Sequence, residues 1–466
     1  MNHAISRPST CSETLGHFVA GLNYDALPAP LVRKLKLHVL DALGVAIALR
    51  EEPLARQLLD MAAADAELAA CSLIGTTQRS SARTAAFVNG AMMHGFDFDD
   101  IHLDSLTHPS AVVLPAVLAL AQTERVNGRT ALAALAAGIE VCIRIAASGA
   151  AAMARNGVAP LSACGAFGAA AAAARVLGLS GDQTALAIGA VSSFAAGSHE
   201  WTAASCNFRL VSAGSAASAG VIAARMAQRG FLGSRSAIEG SKGFLNAFAG
   251  AGAYQLDVIG SDLGQRWMAA DLRFKPYPAC DGALAYIESA IDLRRRFQLT
   301  ADNVQKVIVC VDGAAAELCQ PYDAGNEVPS PERTRFSMKY AIALALSEGN
   351  VRLSHFAQDW ASTHSRVCAL AQRIHLETSA RDNNGVRASG QLNIHTRDGH
   401  EHASNPDIAR GTETPEAEAQ PLIRKFFDCT ASLPAAAQTA IIEHALQLET
   451  ASDLHEVVPI LMGAQS

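Results

Sequence analysis

The sequence predicts a mainly α protein in which a large all-helical domain carries a smaller α+β domain, and three observations predict it. Half of the 466 residues are hydrophobic, 17% are charged and 5% aromatic, so the apolar content rests on small side chains, largely alanine, that let helices approach closely. From Tyr24 to about Gly260 apolar residues recur at three- and four-residue spacing. After Asp271 the period shortens to two, and after Thr414 helical spacing returns. The chain is too long for one ordinary core, so two or three domains are the starting expectation. The period switches place a helical domain over 1–270 and 406–466 and an α+β domain over 271–405.

The first strong helix signal runs from Leu31 to Gly44, with the charges on the face opposite the apolar residues; Gly44 within it predicts a close neighbouring helix. Further helices are expected over Ser81–His94, Ser110–Glu124, Arg129–Ala152, Gly165–Leu177, Asp182–Ala196 and Ser212–Gln228, punctuated by Asn127-Gly128 and Gly230. Val304–Asp312 is short and β-branched, and Ile374–Glu377 and Gly390–Thr396 alternate as strands do. Asp398-Gly399 signals a hairpin turn, with His400–Ala403 as the returning strand. Leu422–Phe427 and Ala435–Leu448 are helical again and are expected to pack back on the first domain.

Charge and cysteine usage exclude several classes. A formal net charge of −7 argues against nucleic acid as the main partner, because phosphate binding needs a basic field. The ten cysteines contain no CxxC pair, which removes zinc-ribbon and thioredoxin readings and leaves reduced thiols in a cytoplasmic protein. Met1 to Glu13 is polar, unlike a secretory signal. The longest weakly apolar stretch, Cys164 to Ala174, falls short of the roughly 20 residues of a membrane span. No membrane partner is expected.

Functional groups concentrate between His94 and Ser110. Asp97, Asp99, Asp100 and Asp104 stand with His94, His102 and His108 in fifteen residues, between two apolar helices. Such a group beside a core is costly unless each member is hydrogen-bonded or used. Helix capping with satisfied core histidines is one reading; a metal site is another, although no HExxH or EF-hand spacing is present; acid–base catalysis is the reading favoured for the cluster as a whole. A second segment places Arg209 just before the helix expected at Ser212, where it could clamp an anion or lie on the surface. A third, Lys275-Pro-Tyr277-Pro, lies at the expected domain junction, as a linker or as a stiff segment aiming Lys275 and Tyr277 into a cleft.

An ordered series of motifs resembles the MmgE/PrpD (2-methylcitrate dehydratase) family. It comprises Leu40-Asp-Ala-Leu-Gly44, Asn89-Gly90 with His94, Asp97-Phe-Asp-Asp100, His108-Pro-Ser110 and Cys164-Gly-Ala-Phe-Gly-Ala-Ala170. Gly230-Phe231 with Glu239-Gly240, Lys275-Pro-Tyr-Pro278 and Phe336-Ser-Met-Lys-Tyr340 complete it. The resemblance implies a helical domain built from both chain ends, an α+β lid, a homodimer and no required metal or organic cofactor. It implies activity on a small anionic polycarboxylate: 2-methylcitrate dehydration, cis-aconitate decarboxylation or iminodisuccinate epimerisation. The family's acidic and histidine site positions fall on Asp97 and His108. Where the family has His in Gly-Phe-His-Pro-Thr this chain has Ala159, where it has Lys-Arg-Leu-His-Ala-Gly this chain has Arg209 and Ser212, and the His that follows Lys-Pro-Tyr-Pro is replaced near Leu284.

Dehydration and decarboxylation need a proton donor for the departing hydroxide or the carbanion, whereas epimerisation needs only removal and return of one proton. The losses therefore point to an epimerase of iminodisuccinate type, with a 2-methylcitrate-type dehydratase or cis-aconitate-type decarboxylase as one alternative and an inactive carboxylate-binding homologue as another. In this reading His108 transfers a proton and Asp97 orients it; Tyr277, His102 or Tyr322 serve the opposite face, and Arg209 and Lys275, with Tyr322, hold the substrate.

Overall fold

Thr10 opens the first helix, α1 (Cys11–Gly21), with a capping box: its hydroxyl accepts from the Glu13 backbone and Glu13 reaches back to its amide. In this computed structural model the described residues are 9–64, 69–201, 208–311, 319, 331–357, 364–378, 390–406 and 415–463. They are mostly helical, with a small sheet in the C-terminal region. After α1 come α2 (Ala29–Leu49), α3 (Pro53–Ala64), α4 (Ala82–Met93), α5 (Pro109–Glu124), α6 (Gly128–Ala147), α7 (Ala150–Arg155), α8 (Pro160–Val176), α9 (Gly181–Val191) and α10 (Arg209–Gln228). A two-residue hairpin, β1 (Cys71–Ser72) with β2 (Arg79–Ser80), precedes α4.

Several boundaries differ from the sequence reading, each for a local reason. The helix expected over 129–152 breaks at Ser148-Gly149 into α6 and α7, where the Ser148 carbonyl accepts from Gln255 instead of continuing the ladder. Helix α8 begins at Pro160, whose fixed φ suits the first helical position. Helix α9 stops at Val191. Helix α10 starts at Arg209, so Arg209 is its first residue rather than a residue ahead of it. The charges of α2 do not all face away from the core: Lys34, His38 and Asp41 are buried.

Small residues set the packing. A Cβ on Gly138 would lie 2.7 Å from the Gly168 carbonyl, and one on Gly168 2.6 Å from the Gly138 carbonyl, so α6 and α8 touch backbone to backbone. Gly44 on α2 faces Phe426 with 2.9 Å between the phenyl edge and a built Cβ, the close neighbour its position suggested. Phe426 belongs to α13 (Pro415–Cys429), which with α14 (Ala435–Leu446) and α15 (Leu454–Leu461) returns the chain to the helical region. Helices α6 and α10, rather than the Cys164–Ala174 stretch singled out in the sequence as the longest apolar one, are long and apolar enough to cross a membrane; 89% and 61% of their apolar windows are buried within the fold.

Between these segments lie α11 (Asp281–Phe297), β3 (Val304–Val311), α12 (Met338–Glu348), β4 (Ile374–Thr378), β5 (Gln391–Thr396) and β6 (Glu401–Ser404). The sheet order is β4-β3-β5-β6, with β3 and β4 parallel and the other pairs antiparallel. Its strands fall where the alternating pattern set them, and Gly399, at φ +87°, makes the β5–β6 turn. The apolar side chains form two cores. One spans Leu15 to Leu272 and resumes from Phe426 to Met462; the other spans Ala279 to Ile394.

Candidate active site

Helix α4 ends at Met93, with His94 as its C-cap, and α5 begins at Pro109, with His108 at the N-cap. The intervening loop is pinned by backbone bridges Ile101↔Arg273 and His102↔Thr107. Asp97 takes φ +53°, a left-handed conformation that aspartate tolerates better than most residues, and the turn directs its carboxylate inward. Helix α10 reaches the loop because Gly214 has no side chain: a Cβ there would lie 2.3 Å from the Phe87 carbonyl of α4. That approach delivers Arg209 to the end of α4, where it donates to the carbonyls of His94 (2.6 Å) and Gly95 (3.1 Å).

Four side chains of the loop converge. His94 Nδ1 lies 2.9 and 3.2 Å from the two oxygens of Asp99, and His108 Nδ1 lies 3.5 Å from Asp99 Oδ2. The two imidazole centroids are 4.8 Å apart. His108 Nε2 points toward Asp97 Oδ1 at 3.9 Å. Lys275 Nζ donates to Asp97 Oδ2 (2.7 Å), to the Asp97 carbonyl (3.0 Å) and to the Ala279 carbonyl (3.5 Å), which occupies its three protons. Arg209 Nη1 stands 3.7 Å from Asp97 Oδ1, and its guanidinium lies 5.4 Å from the Phe336 ring centroid and 5.9 Å from that of Trp201. Since Phe336 belongs to the second core and Leu210 to the first, the group sits where the two cores meet.

The charges divide sharply. Burial opposes ionisation of Asp97, but Lys275 and Arg209 outweigh it and hold the carboxyl well below the ordinary range. Burial also opposes the Lys275 ammonium, yet Asp97 leaves its pKa raised. Asp99 makes no ion pair with a lysine or arginine among the described residues, and burial pushes it up to about 6, with His108 pulling the other way. Burial lowers His94 and His108 below the usual imidazole value, so both are neutral at pH 7. The His108 side chain retains 13% exposure, against 1% for Lys275 and 0% for Asp99. Within the group, the imidazole is the part a molecule from solvent meets first.

The other residues singled out in the sequence lie as follows. His102 is buried and closes the 102–107 turn: its Nδ1 accepts from the Ser105 amide (3.2 Å) and lies 2.9 Å from the Ser105 hydroxyl. It is outside the His94–His108 group. Tyr277, two residues beyond Lys275, packs against the second core, and burial pushes its phenol up to about 12. Tyr322 lies outside the described residues, as does the stretch from Ala203 to Asn207. Ala159, standing where an imidazole was expected, bonds Gly197 across the Val158↔Ser198 bridge, and His199 bonds Gly157 in the same pair of segments, its ring meeting Trp201 edge-on at 5.9 Å. No motif pointed to His199. Asp99 and His94 belonged to the dense cluster, but the sequence assigned them no role.

A second buried group backs the loop. His38 Nδ1 lies 3.0 Å from Asp100 Oδ2, Ser110 donates to Asp100 through its hydroxyl (2.5 Å) and amide (3.3 Å), and His38 stacks on Phe274 at 4.3 Å. Lys425 of α13 bonds Asp41 (2.6 Å) and the Phe98 carbonyl (2.6 Å) and covers the Phe98 ring. The sequence flagged Asp100 and Ser110 and placed Asp41 within the Leu40–Gly44 motif, but pointed to neither His38 nor Lys425, because their burial depends on α2 and α13 meeting.

Ligand atoms of His94, Asp97, Asp99 and His108 all lie within 4.8 Å of one another, close enough to surround a metal ion. Charge opposes that use, since Lys275 occupies Asp97 and Arg209 stands beside it, two fixed cations facing any dication. The arrangement instead offers a neutral imidazole, two carboxylates whose pKa values are shifted in opposite directions and two cations, which is equipment for moving a proton beside an anion.

A helical region and an α+β segment thus meet around a buried histidine–carboxylate group. Residues 13–257 match the MmgE/PrpD N-terminal domain and residues 277–450 the MmgE/PrpD C-terminal domain, so the chain belongs to the MmgE/PrpD family. Similar proteins include the cis-aconitate decarboxylase-like protein oryM of Aspergillus oryzae, 24% identical over 96% of each chain. The cis-aconitate decarboxylase of Aspergillus terreus is 24% identical over 96% of this chain and 94% of its own. That of Homo sapiens is 29% identical over 63% of this chain and 61% of its own. Members of the family are enzymes, and these relatives carry decarboxylase rather than epimerase names.

Proposed function

We propose that this protein is a cofactor-independent epimerase of a small imino- or aminopolycarboxylate of iminodisuccinate type. The observation that supports it is His108: a neutral imidazole, 13% exposed, with Nε2 directed toward an ion-paired Asp97 that the Arg209 guanidinium also faces. A neutral imidazole is a base, ready to take the proton from the carbon next to a substrate carboxylate. The C–H bond breaks, its electron pair delocalises into the carboxylate as an enolate-like anion, and the new N–H bond forms at Nε2. Arg209 stabilises that growing charge more than it stabilises the ground state. Lys275, fully engaged by Asp97, acts from behind by keeping that carboxylate ionised and in place rather than by holding substrate. Tyr277, protonated at neutral pH, is the candidate for returning a proton to the opposite face.

Decarboxylation of a cis-aconitate-type substrate is the second reading, favoured by the full-length relatives of that name. A neutral His108 is a weaker acid than that reaction needs to quench its carbanion. Incubation with single iminodisuccinate stereoisomers in deuterium oxide separates the two readings. Epimerisation gives stereoisomer interconversion with deuterium at the α-carbon; release of carbon dioxide from cis-aconitate without such exchange replaces it with the second reading. A homodimer, expected from the resemblance, belongs to the same proposal, and light scattering of the purified protein tests it.

A further inference from the structure

Asp97 and Asp99 both face His108, and the functional reading so far uses only Asp97. Their surroundings differ in kind. Asp97 Oδ2 accepts from Lys275 at 2.7 Å, and Oδ1 lies 3.7 Å from Arg209 and 3.9 Å from His108, too far for a hydrogen bond to the imidazole. Asp99 is completely buried, has no lysine or arginine ion pair among the described residues, and lies between two imidazoles through their Nδ1 atoms. His108 Nδ1 is itself buried without a formed hydrogen bond, and Asp99 Oδ2 stands 3.5 Å from it. Hydrogen bonds to a catalytic imidazole commonly tighten when substrate binds. His108 has little freedom to turn elsewhere, being the N-cap residue with Pro109 fixing the first turn of α5.

We propose that Asp99, not Asp97, is the positioning partner of His108, holding it in the tautomer with the proton on Nδ1 and the lone pair on Nε2, with His94 donating its own Nδ1 proton to anchor Asp99. The inference rests on His108 being the proton-transfer group. When Nε2 takes the substrate proton, His108 becomes an imidazolium whose Nδ1–H remains bonded to Asp99. The carboxylate keeps its negative charge and receives no proton; it stabilises the cation opposite it. His94 links this pair to the anion-facing side of the site, since its ring bonds Asp99 while its carbonyl accepts from Arg209. Asp97 and Lys275 form a separate unit that sets the charge on the Nε2 side.

Nitrogen-15 imidazole spectra of the full-length protein at neutral pH test the pairing without any substrate, with His108 assigned by comparison with His108→Gln. The expected wild-type pattern is a protonated Nδ1 and an unprotonated Nε2. In Asp99→Ala the His108 signals should move toward the Nε2–H tautomer, and in Asp97→Asn they should stay. Asp99→Asn, which preserves shape, should lower kcat by about a hundredfold or more with KM within a few-fold. A wild-type His108 protonated on Nε2, or a tautomer unchanged by both Asp99 variants, overturns the pairing. A correct tautomer in a protein that exchanges no polycarboxylate proton supports the pairing and removes the functional reading instead, so the two failures are distinguishable.

Discussion

The loop from His94 to Ser110 has two buried charged groups on its two sides, and their imidazoles differ in exposure, 13% for His108 against 1% for His38. Behind it, Asp100 pairs with His38 and Ser110, Asp41 with Lys425, and Lys425 with the Phe98 carbonyl as well, although both ring nitrogens of His38 and both oxygens of Asp41 lack a well-formed hydrogen bond. In front, Asp97 is matched by Lys275, but Asp99 is held only by imidazoles, and His108 keeps an unbonded buried nitrogen and a partly exposed edge. Both groups are costly to bury. Burial of charge therefore does not by itself mark a site. A reachable imidazole within such a group does, because that is where a ligand can enter.

The largest effect should come from the front. His108→Ala should cut turnover about a hundred- to ten-thousandfold while shifting the urea midpoint little, and comparable losses in stability and turnover would erase the distinction between the two groups. The back should behave oppositely. Lys425→Met leaves Asp41 buried and unpaired, so chemical denaturation should register a loss of about 3–5 kcal/mol, with residual folded protein keeping its turnover within about tenfold. Gly214→Ala places a methyl against the Phe87 carbonyl, and the forced shift of α10 should cost about 1–3 kcal/mol and withdraw Arg209 from His94, raising KM.

The smallest effect is a pH slope. The folded pKa of Asp99 is raised to about 6 from 3.8, so its contribution to stability is complete below about pH 4 and is lost as pH rises through about 6. Asp97 and Asp100, both depressed, contribute in the opposite sense, above about pH 4 and lost as pH falls through their folded values. Asp99→Asn cannot ionise and should therefore lose less stability than wild type between about pH 4 and 7, measured as urea midpoints across that range. A steeper decline in the variant would contradict the raised carboxyl.

Much of the fold was legible because it rests on periodicity. The strands from Val304 onward, the Asp398-Gly399 turn and helices α4, α5 and α10 lie within a few residues of their sequence signals. Boundaries slipped where a start signal was overlooked, as at Pro160, or where a distant partner took the backbone, as Gln255 does at Ser148. Of the site, His108, Asp97, Arg209 and Lys275 were named in advance and converge; His102 was named and turns to Ser105 instead. His102 and His108 look alike in one dimension, and only the direction of each ring separates them.

Local pattern in the sequence determined which segments are helix and strand, that the interior would be built from small side chains, and that one loop would concentrate acids and imidazoles. Tertiary structure decided which of those acids meets which cation. Lys275 finds Asp97 from 178 residues away and Lys425 finds Phe98 from 327 residues away, pairings no local pattern encodes. The physical reason is the range of the forces: secondary structure follows from neighbours along the chain, whereas the charge state of a buried carboxylate follows from whatever lies within a few ångströms once the helices have packed.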